Sequence, residues 1–529
     1  MELLRQNLLT VLIFLPLLGA ALVLVARGRD AVRWTALGTT LLTFVLSLFV
    51  LLPGMFDASR GQFYGYADQD GVVQLVRAVD WISSFNIQFK VGIDGLSLPL
   101  LLLSTLIFVL SAVASWNIDK MTRGYRALFL LLETGVLGTF LSLDFFLFFV
   151  FFELTLLPMY FLIGIWGGER REYAAIKFFI YTLVGSIAIL VGLIGVFLFS
   201  RSAIPGGTFD LIALARPEVA KQIAGAMGPT VAGLMFALLM FGFLVKVPAV
   251  PFHTWLPDAH VEAPTPISML LAAILLKMGG YGMLRIAYPL FPEVARDYWF
   301  WVALIGVISI IYGALCAMGQ KDFKKLIAYS SVSHMGLVVL GISMLTRAGV
   351  SGAIFMMVAH GIISAMLFFV VGVIYDRVHH REMGRMGGLA ATLPVYTGLS
   401  AVAMFANLGL PTLAGFVGEV MVLLGAFGAA RPDSILVSAG YASPAQVYTL
   451  AVVACFGMVL TAGYMLWTVQ RVFFGPVRNE QADLPDVNTR ELTVLVPLAV
   501  LTILLGVLPG VFVFVFTDNT VDALLKLFR

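Results

Sequence analysis

Residues 230–259 read TVAGLMFALLMFGFLVKVPAVPFHTWLPDA, an apolar stretch interrupted by a lysine and by prolines. The stretch is longer than the roughly 20 residues that an apolar helix needs to cross a bilayer. Proline removes a backbone N–H donor and clashes with the preceding helical turn. We therefore predict a membrane helix that breaks near Lys246 and Pro248. The backbone groups freed by such a break must be covered by protein or face water.

The whole chain has the composition of a membrane protein. Of its 529 residues 60% are apolar and 12% are charged, and the mean hydropathy is +0.99, whereas ordinary soluble domains carry about 25% charged residues. The two cysteines, Cys316 and Cys455, lie in apolar runs and form no CxxC pair, which argues against disulfides, zinc and iron–sulfur clusters. Nucleotide-binding motifs are also missing from the sequence. We expect no redox centre, metal or cofactor on this chain.

Apolar runs separated by charged, glycine and proline residues predict about fourteen transmembrane helices. The predicted fold class is therefore an all-α integral membrane protein, with residues 1–529 forming a single polytopic domain. The predicted spans, numbered 1 to 14 in chain order, cover residues 7–26, 31–52, 95–116, 124–143, 145–167, 173–199, 230–259, 264–288, 299–319, 325–346, 351–375, 393–430, 447–470 and 491–515.

Span 12 is broken in the same way as span 7, since it contains the sequence NLGLP at residues 407–411, followed by Gly415 and Gly418. The two broken spans are five apart, which is an odd number, so spans 4–8 and 9–13 are predicted to be inverted repeats. Such repeats with broken helices in equivalent places are typical of transporter cores. The predicted parts are residues 1–116 (N-terminal helices), 124–288 (first repeat), 299–470 (second repeat) and 491–515 (final helix).

Basic residues predict how the chain is oriented in the membrane. The first span is not a cleavable signal, because its basic cluster follows the apolar stretch. With the N-terminus outside, the inner loops hold the excess of lysine and arginine that the positive-inside rule requires. We therefore expect both termini outside. The inner basic clusters are Arg27, Arg29 and Arg33; Lys120, Arg123 and Arg126; Arg170, Arg171 and Lys177; Lys321, Lys324 and Lys325; Arg377, Arg381 and Arg385; and Arg471, Arg478 and Arg490.

Seven titratable residues lie deep inside the predicted spans, each in a different span. An ionisable side chain at the centre of a membrane helix costs about 2.5–3.5 kcal/mol and is usually functional. None of the five charged ones has another charged residue three or four positions away, so their partners must be other helices or water. A row of such groups at mid-membrane depth is what a proton relay needs. They are Glu133, Glu153, Lys246, Lys277, His334, His360 and Glu419.

Glu153 and Lys246 could act together as a switch. Burial disfavours the charged form of either group, and a nearby opposite charge reverses that preference. Bringing the two side chains together would ionise both, and separating them would make Lys246 release its proton. Structural alternatives remain open: Glu153, Lys246 or Glu133 could be polar clamps between helices, and His334 and His360 could be satisfied core histidines.

Three segments carry a close resemblance to the antiporter-like membrane subunits of respiratory complex I, the NADH:quinone oxidoreductase. They are FELTLLPMY at residues 152–160, KVPAVPFHTWLPDAH at 246–260 and KDFKKLIAYSSVSHMG at 321–336. The resemblance extends over nearly the whole chain. It implies a proton-translocating subunit in a bacterial inner (cytoplasmic) membrane, assembled with other membrane subunits, especially sister antiporter-like subunits. NADH, FMN, iron–sulfur clusters and quinone would bind to partner subunits.

The same resemblance implies a role for each matched residue in a proton relay. Glu153 corresponds to the glutamate of the fifth helix, Lys246 to the lysine beside the break, and Lys277 to the connecting lysine of the eighth helix. Glu419 corresponds to the residue that hands the proton to the outer side, where sister subunits usually carry lysine. Matched family residues also include His334, His360 and, with less support, Glu133.

Two other functions remain as alternatives. The chain could belong to a multisubunit sodium/proton antiporter or to a related membrane-bound hydrogenase. Sodium prefers several hard oxygen ligands, and no adjacent carboxylate pair occurs in any predicted span, which argues against the antiporter. A purely structural spacer would leave the seven mid-membrane titratable groups unexplained.

Overall fold

The computed structural model describes residues 2–52 and 73–529 and shows a helical membrane protein. Within these ranges, thirteen helices are long and apolar enough to cross a membrane, and Ala414–Gly428 is a shorter apolar helix. The predicted all-α class is confirmed. Membrane helices are α1 (Glu2–Val25), α2 (Arg29–Leu48), α3 (Ser97–Ala114), α4 (Thr122–Leu141), α5 (Phe145–Trp166), α6 (Arg171–Ser200), α7 (Pro217–Lys246), α8 (Trp255–Glu262), α9 (Thr265–Leu290), α10 (Trp299–Met318), α11 (Phe323–Ser343), α12 (Arg347–Val378), α13 (Pro394–Asn407), α14 (Ala414–Gly428), α15 (Pro444–Phe473) and α16 (Thr489–Val507).

Shorter elements join these helices. Two antiparallel strands, β1 (Gln74–Ile82) and β2 (Ile87–Ile93), form a hairpin before α3. A helix that the sequence did not predict, α17 (Val515–Lys526), follows α16 after a π-helical turn at Gly510–Phe514. The remaining short helical segments are Phe49–Leu51, Ser83–Phe85, Leu211–Leu214, Pro292–Asp297, Met383–Arg385, Leu389–Thr392, Ile435–Ser438 and Asn479–Gln481.

Three central helices are enclosed by the others. The apolar windows of α9 and α12 are entirely buried and that of α11 is 94% buried, whereas the peripheral α2 and α16 windows are 28% and 39% buried. Helices α9, α11 and α12 carry Lys277, His334 and His360. The core of the molecule therefore places the predicted titratable residues away from the surrounding lipid.

The first predicted break lies where the sequence places it. Helix α7 ends at Lys246 and α8 begins at Trp255, because Pro248 and Pro251 cannot donate to a helical ladder. Side chains cover the freed backbone groups: the Trp255 indole donates to the Val245 carbonyl at 3.0 Å, and the Val250 amide donates to the Ser309 hydroxyl at 2.9 Å. The break is thus sealed by protein rather than left open.

The second break separates α13, which ends at Asn407, from α14, which begins at Ala414. Gly409 supplies a backbone φ of +77°, which side chains with a Cβ rarely adopt. Gly415 lets α14 approach closely, because a Cβ there would overlap the Ala406 carbonyl oxygen. Both predicted discontinuities are present, while the predicted repeat boundaries and the inversion of the two repeats stay predictions.

Several boundaries differ from those predicted. Helix α7 begins at Pro217 rather than near residue 230, and it bends at Gly228, whose φ is +71°, just before Pro229. The final span ends at Val507 instead of 515, where Pro509 interrupts the helix. Part of the segment 53–94, predicted as a loop, forms the hairpin, and residues 53–72 lie outside the described chain.

Candidate proton-relay site

Four of the predicted residues, all in the second half of the sequence, form two contacting pairs that lie next to each other. The Lys277 Nζ atom lies 2.7 Å from His360 Nδ1. The His360 and His334 ring centroids are 5.6 Å apart, and His334 Nε2 lies 3.3 Å from Glu419 Oε1. All four side chains are buried. Helices α9, α12, α11 and α14 thus each contribute one titratable group to a row in which the two histidine rings are adjacent.

A local irregularity of α9 positions Lys277. Residues Leu271–Leu275 form a π-helical turn, which widens the helix and redirects its carbonyl groups. The Lys277 ammonium donates to the Ala272 carbonyl inside this turn and also contacts His360. A second π-helical turn follows at Met283–Ala287. The sequence did not predict either turn, since both lie in an uninterrupted apolar run.

The contacts of His334 specify which protons it can carry. Its Nδ1 atom lies 2.8 Å from the Ser330 carbonyl oxygen, and its Nε2 atom lies 3.1 Å from the Asn407 carbonyl oxygen as well as beside Glu419. A carbonyl oxygen only accepts, so both ring nitrogens are placed to donate. The geometry suits an imidazolium beside an ionised Glu419. Transfer of the Nε2 proton to the carboxylate gives the neutral pair.

His360 connects Lys277 to His334. Its Nδ1 atom faces the Lys277 amine, and its Nε2 atom has no hydrogen-bond partner in the described chain. If Nδ1 accepts from lysine, Nε2 carries the ring proton on the opposite side. A histidine with its two nitrogens on opposite sides can take a proton at one and release it at the other.

The first-half residues are arranged differently. Lys246 is buried, and its Nζ lies 3.5 Å from the Thr155 hydroxyl and 4.7 Å from the centre of the Phe152 ring. Glu153 is half-buried and faces Ser186. Within the described chain, no carboxylate oxygen lies within 4.0 Å of Lys246 Nζ. Glu153 and Lys246 are therefore neighbours that do not form a direct ion pair.

Glu133 lies apart from both groups. It is fully buried in α4, and neither carboxylate oxygen has a hydrogen-bond partner in the part of the chain that the structure describes. The structure thus brings Lys277, His360, His334 and Glu419 together and leaves Glu133 isolated. Its place in the relay stays a prediction.

Sequence reasoning missed a buried ion pair between α3 and α9. Both charged groups of Arg285 and Asp94 are almost completely buried, and Arg285 Nη1 donates to Asp94 Oδ2 at 2.6 Å. The Arg285 Nε atom also donates to the Tyr281 hydroxyl at 2.9 Å. Arg285 lies near the end of predicted span 8, and Asp94 directly precedes predicted span 3. A basic and an acidic residue at the same end of two apolar spans could have predicted this ion pair.

A buried lysine in one of the basic clusters was predicted to lie in a loop, but it lies inside the protein. Lys324 is 5% exposed and donates to the Ala263 carbonyl at 2.6 Å. Nearby, His260 is fully buried, stacks on Phe368 with ring centroids 4.3 Å apart, and has no hydrogen-bond partner within the described residues. The basic clusters therefore mix topology signals with groups inside the protein.

Comparisons with known proteins place this geometry in a family. Residues 142–442 match the family described as NADH:quinone oxidoreductase/Mrp antiporter, TM, and residues 72–147 match the NADH-ubiquinone oxidoreductase chain 4 amino terminus. The chain belongs to this family. Its relatives include NADH-quinone oxidoreductase subunit M of Rhodobacter capsulatus, 41% identical over 96% of this chain and 94% of the relative. NAD(P)H-quinone oxidoreductase chain 4 of Thermosynechococcus vestitus is 39% identical over 95% of this chain and 89% of the relative.

Solved structures of family members show the same fold. A chain of respiratory complex I from Thermus thermophilus matches with a TM-score of 0.83 and 29% identity, over 98% of this chain and all of the other. A chain of the Mrp complex from Dietzia matches with a TM-score of 0.79 over 99% of both chains, at 22% identity. The similarity to the Mrp chain shows a shared fold and does not indicate a shared function. The chain is thus a multi-pass membrane protein of this family.

Proposed function

We propose that this chain is subunit M of an NADH:quinone oxidoreductase and moves protons across a bacterial inner membrane. The observation that carries the proposal is the buried set of two contacting pairs: Lys277 lies 2.7 Å from His360, and His334 lies 3.3 Å from Glu419. The two histidine rings lie side by side, with centroids 5.6 Å apart. Redox centres are inferred to lie on partner subunits. Electron transfer there would change the charge or conformation next to this chain and so drive the protons.

In this mechanism each residue holds or transfers a proton at a stated atom. His334 gives its Nε2 proton to Glu419 Oε1, which leaves both groups neutral and frees Nε2. His360 then passes its Nε2 proton to His334 Nε2, while Lys277 gives a proton to His360 Nδ1. Dry surroundings favour such neutral pairs, because separated charges are costly at low dielectric. Glu153 and Lys246 would start or reset the transfer when the distance between them changes.

We further propose that both termini face outside. The loops that carry basic clusters meet on one face: Arg33 pairs with Asp119 at 2.6 Å, and Arg123 donates to the Ala26 carbonyl at 2.8 Å. Two further loops with basic clusters also meet, since Arg381 pairs with Asp322 at 3.2 Å. Shared basic loops are expected at the inner face of a bacterial membrane.

The test is Glu419→Gln in the assembled complex, because glutamine keeps the shape but cannot accept a proton. We expect NADH-driven proton uptake to fall about tenfold or more, while Glu419→Asp retains a substantial fraction. Glu169→Gln, which changes an exposed carboxylate, is the matched control. Full coupled turnover in Glu419→Gln would contradict the proposal.

The same vesicles distinguish the sodium/proton antiporter. Membrane potential and proton uptake are measured with potassium as the only alkali cation and again after sodium is added. An oxidoreductase subunit of the proposed kind works at full rate without sodium. A strict requirement for sodium, without any dependence on NADH, would favour the antiporter.

A further inference from the structure

A cluster of buried polar side chains lies beside Glu419. Tyr464 of α15 faces Glu419, and its hydroxyl lies near Asn407 and Ser330 as well as Thr461. All of these side chains are at most 4% exposed. Sequence analysis did not select Tyr464 or Asn407, because neither is charged. Their convergence comes from three different helices, α13, α14 and α15, beside α11.

Three polar atoms in this cluster have no hydrogen-bond partner within the described chain: Glu419 Oε2, Asn407 Nδ2 and Tyr464 Oη. The other two hydroxyls differ, since Ser330 donates to the Ile327 carbonyl at 2.8 Å and Thr461 to the Gly457 carbonyl at 2.9 Å. The three partnerless atoms therefore belong to side chains of one buried cluster that includes Glu419.

The second helix break makes room for this arrangement. Glu419 Oε2 lies directly against Gly409, where a Cβ would overlap it. The neighbouring Asn407 carbonyl already bonds His334 Nε2, so the backbone from which the Asn407 side chain projects is held beside the relay. A buried polar atom without a partner costs about 1–3 kcal/mol, and a buried water typically makes about three hydrogen bonds to such atoms.

We propose that Tyr464, Asn407 and Glu419 Oε2 bind a water molecule, which makes Tyr464 and Asn407 positioning residues for proton exchange between His334 and Glu419. This inference rests on the proposed function. The water accepts from the Asn407 amide and the Tyr464 hydroxyl and donates to Oε2, so it stabilises the ionised carboxylate. Proton transfer then breaks the His334 Nε2–H bond and forms an O–H bond at Glu419 Oε1, leaving both groups neutral.

The first test is Tyr464→Phe, which removes only the hydroxyl. In assembled complex, we expect NADH-driven proton uptake to fall about tenfold, and the acidic limb of the pH–rate profile to move to higher pH because the ionised carboxylate has lost a donor. Tyr288→Phe is the matched control: its hydroxyl is also buried and without a partner in the described chain, but no relay residue lies beside it. Equal rates and pH profiles in the two variants would overturn the proposal.

Asn407→Leu and the double variant test whether one water links the two side chains. A shared water predicts that the double variant is no slower than the slower single variant, whereas independent contributions multiply. Multiplied losses would overturn the shared site. A density map of the assembled wild-type complex gives a measurement that needs no variant: a water within hydrogen-bond distance of all three atoms is expected, and its absence would overturn the proposal.

Glu419→Gln, measured in parallel, separates this inference from the proposed function. If Glu419→Gln loses proton uptake and Tyr464→Phe behaves like Tyr288→Phe, only the water site is wrong. If Glu419→Gln keeps full coupled uptake, the relay itself is wrong.

Discussion

The two helix breaks look alike in sequence but hold their titratable groups differently. At the first, the Trp255 indole and the Ser309 hydroxyl bond the backbone around the break. Among the described residues, Lys246 Nζ has one hydrogen-bond partner, the Thr155 hydroxyl, and lies over the Phe152 ring. At the second, the freed Asn407 carbonyl bonds His334, which joins Glu419.

The difference suggests a division of labour between the halves. Among the described residues, Lys246 Nζ has one hydrogen-bond partner, a hydroxyl at 3.5 Å. Such a group can change its protonation state when a neighbouring charge moves. A charge inside a connected series transfers its proton to the next group instead. We therefore interpret the first half as the part that responds and the second half as the part that conducts.

The largest effect is expected from breaking the first half. Lys246→Ala should reduce both proton uptake and quinone reduction at least about tenfold, because a coupled machine stalls when its load is blocked. Glu153→Gln should do the same by removing the charge that governs Lys246. The measurement is NADH-driven quinone reduction and membrane potential in vesicles, normalised to assembled complex.

Thr155→Val sharpens this prediction by removing only the hydroxyl beside Lys246. If Lys246 is a responding group, the variant keeps turnover but shifts its pH dependence. If either Lys246→Ala or Glu153→Gln assembles normally with full proton uptake, the two residues are structural clamps and the proposed division between the halves is incorrect.

A smaller effect is expected from the second break. Gly409→Ala places a methyl group against Glu419 Oε2 and adds strain at a φ of +77°. We expect assembled complex with turnover lowered about threefold to fivefold, because Glu419 must move away from His334. Gly398→Ala, at a helical position with open space around the added Cβ, is the control. Equal turnover in both variants would show that the Glu419 position is not set by this glycine.

Much of this architecture could be predicted from the sequence. The spans and both breaks follow from local chemistry, since an apolar run of sufficient length must be helical in lipid and proline interrupts it. The titratable residues were also predictable, because Lys277 or Glu419 in an apolar run has no other common explanation.

The contacts could not be predicted, because they depend on how the helices pack. The π-helical turn that aims Lys277 at Ala272 leaves no local mark. The Arg285–Asp94 pair joins residues far apart in the chain. Tyr464 and Asn407 acquire a possible role only through the cluster around Glu419.

The smallest effect on turnover is expected at the β-hairpin, which contains none of the proposed relay residues. Asp144 lies between α4 and α5, accepts hydrogen bonds from the Leu147 and Gln88 amides, and so ties β2 to α5. The pKa of Asp144 is raised from 3.8 to about 6, mainly by burial. The two amides lower this pKa and nearby Asp210 raises it, but each of these effects is smaller than that of burial. The folded state therefore binds the Asp144 proton more tightly than the unfolded state does. Its contribution is greatest below pH 4 and is lost as the pH rises through about 6.

Asp144→Asn should remove this pH dependence, because the amide is neutral at every pH and can still accept one of the two hydrogen bonds. We expect hydrogen exchange at the Leu147 and Gln88 amides, corrected for intrinsic rates, to become about tenfold faster between pH 5 and pH 7.5 in the wild type, which is a loss of about 1.4 kcal/mol of opening free energy. In Asp144→Asn the corrected rates should be the same at both pH values, with turnover unchanged. A pH-dependent rate that persists in the variant would show that another group, and not Asp144, controls the hairpin. A loss of turnover would show instead that the hairpin is coupled to the proton-conducting half.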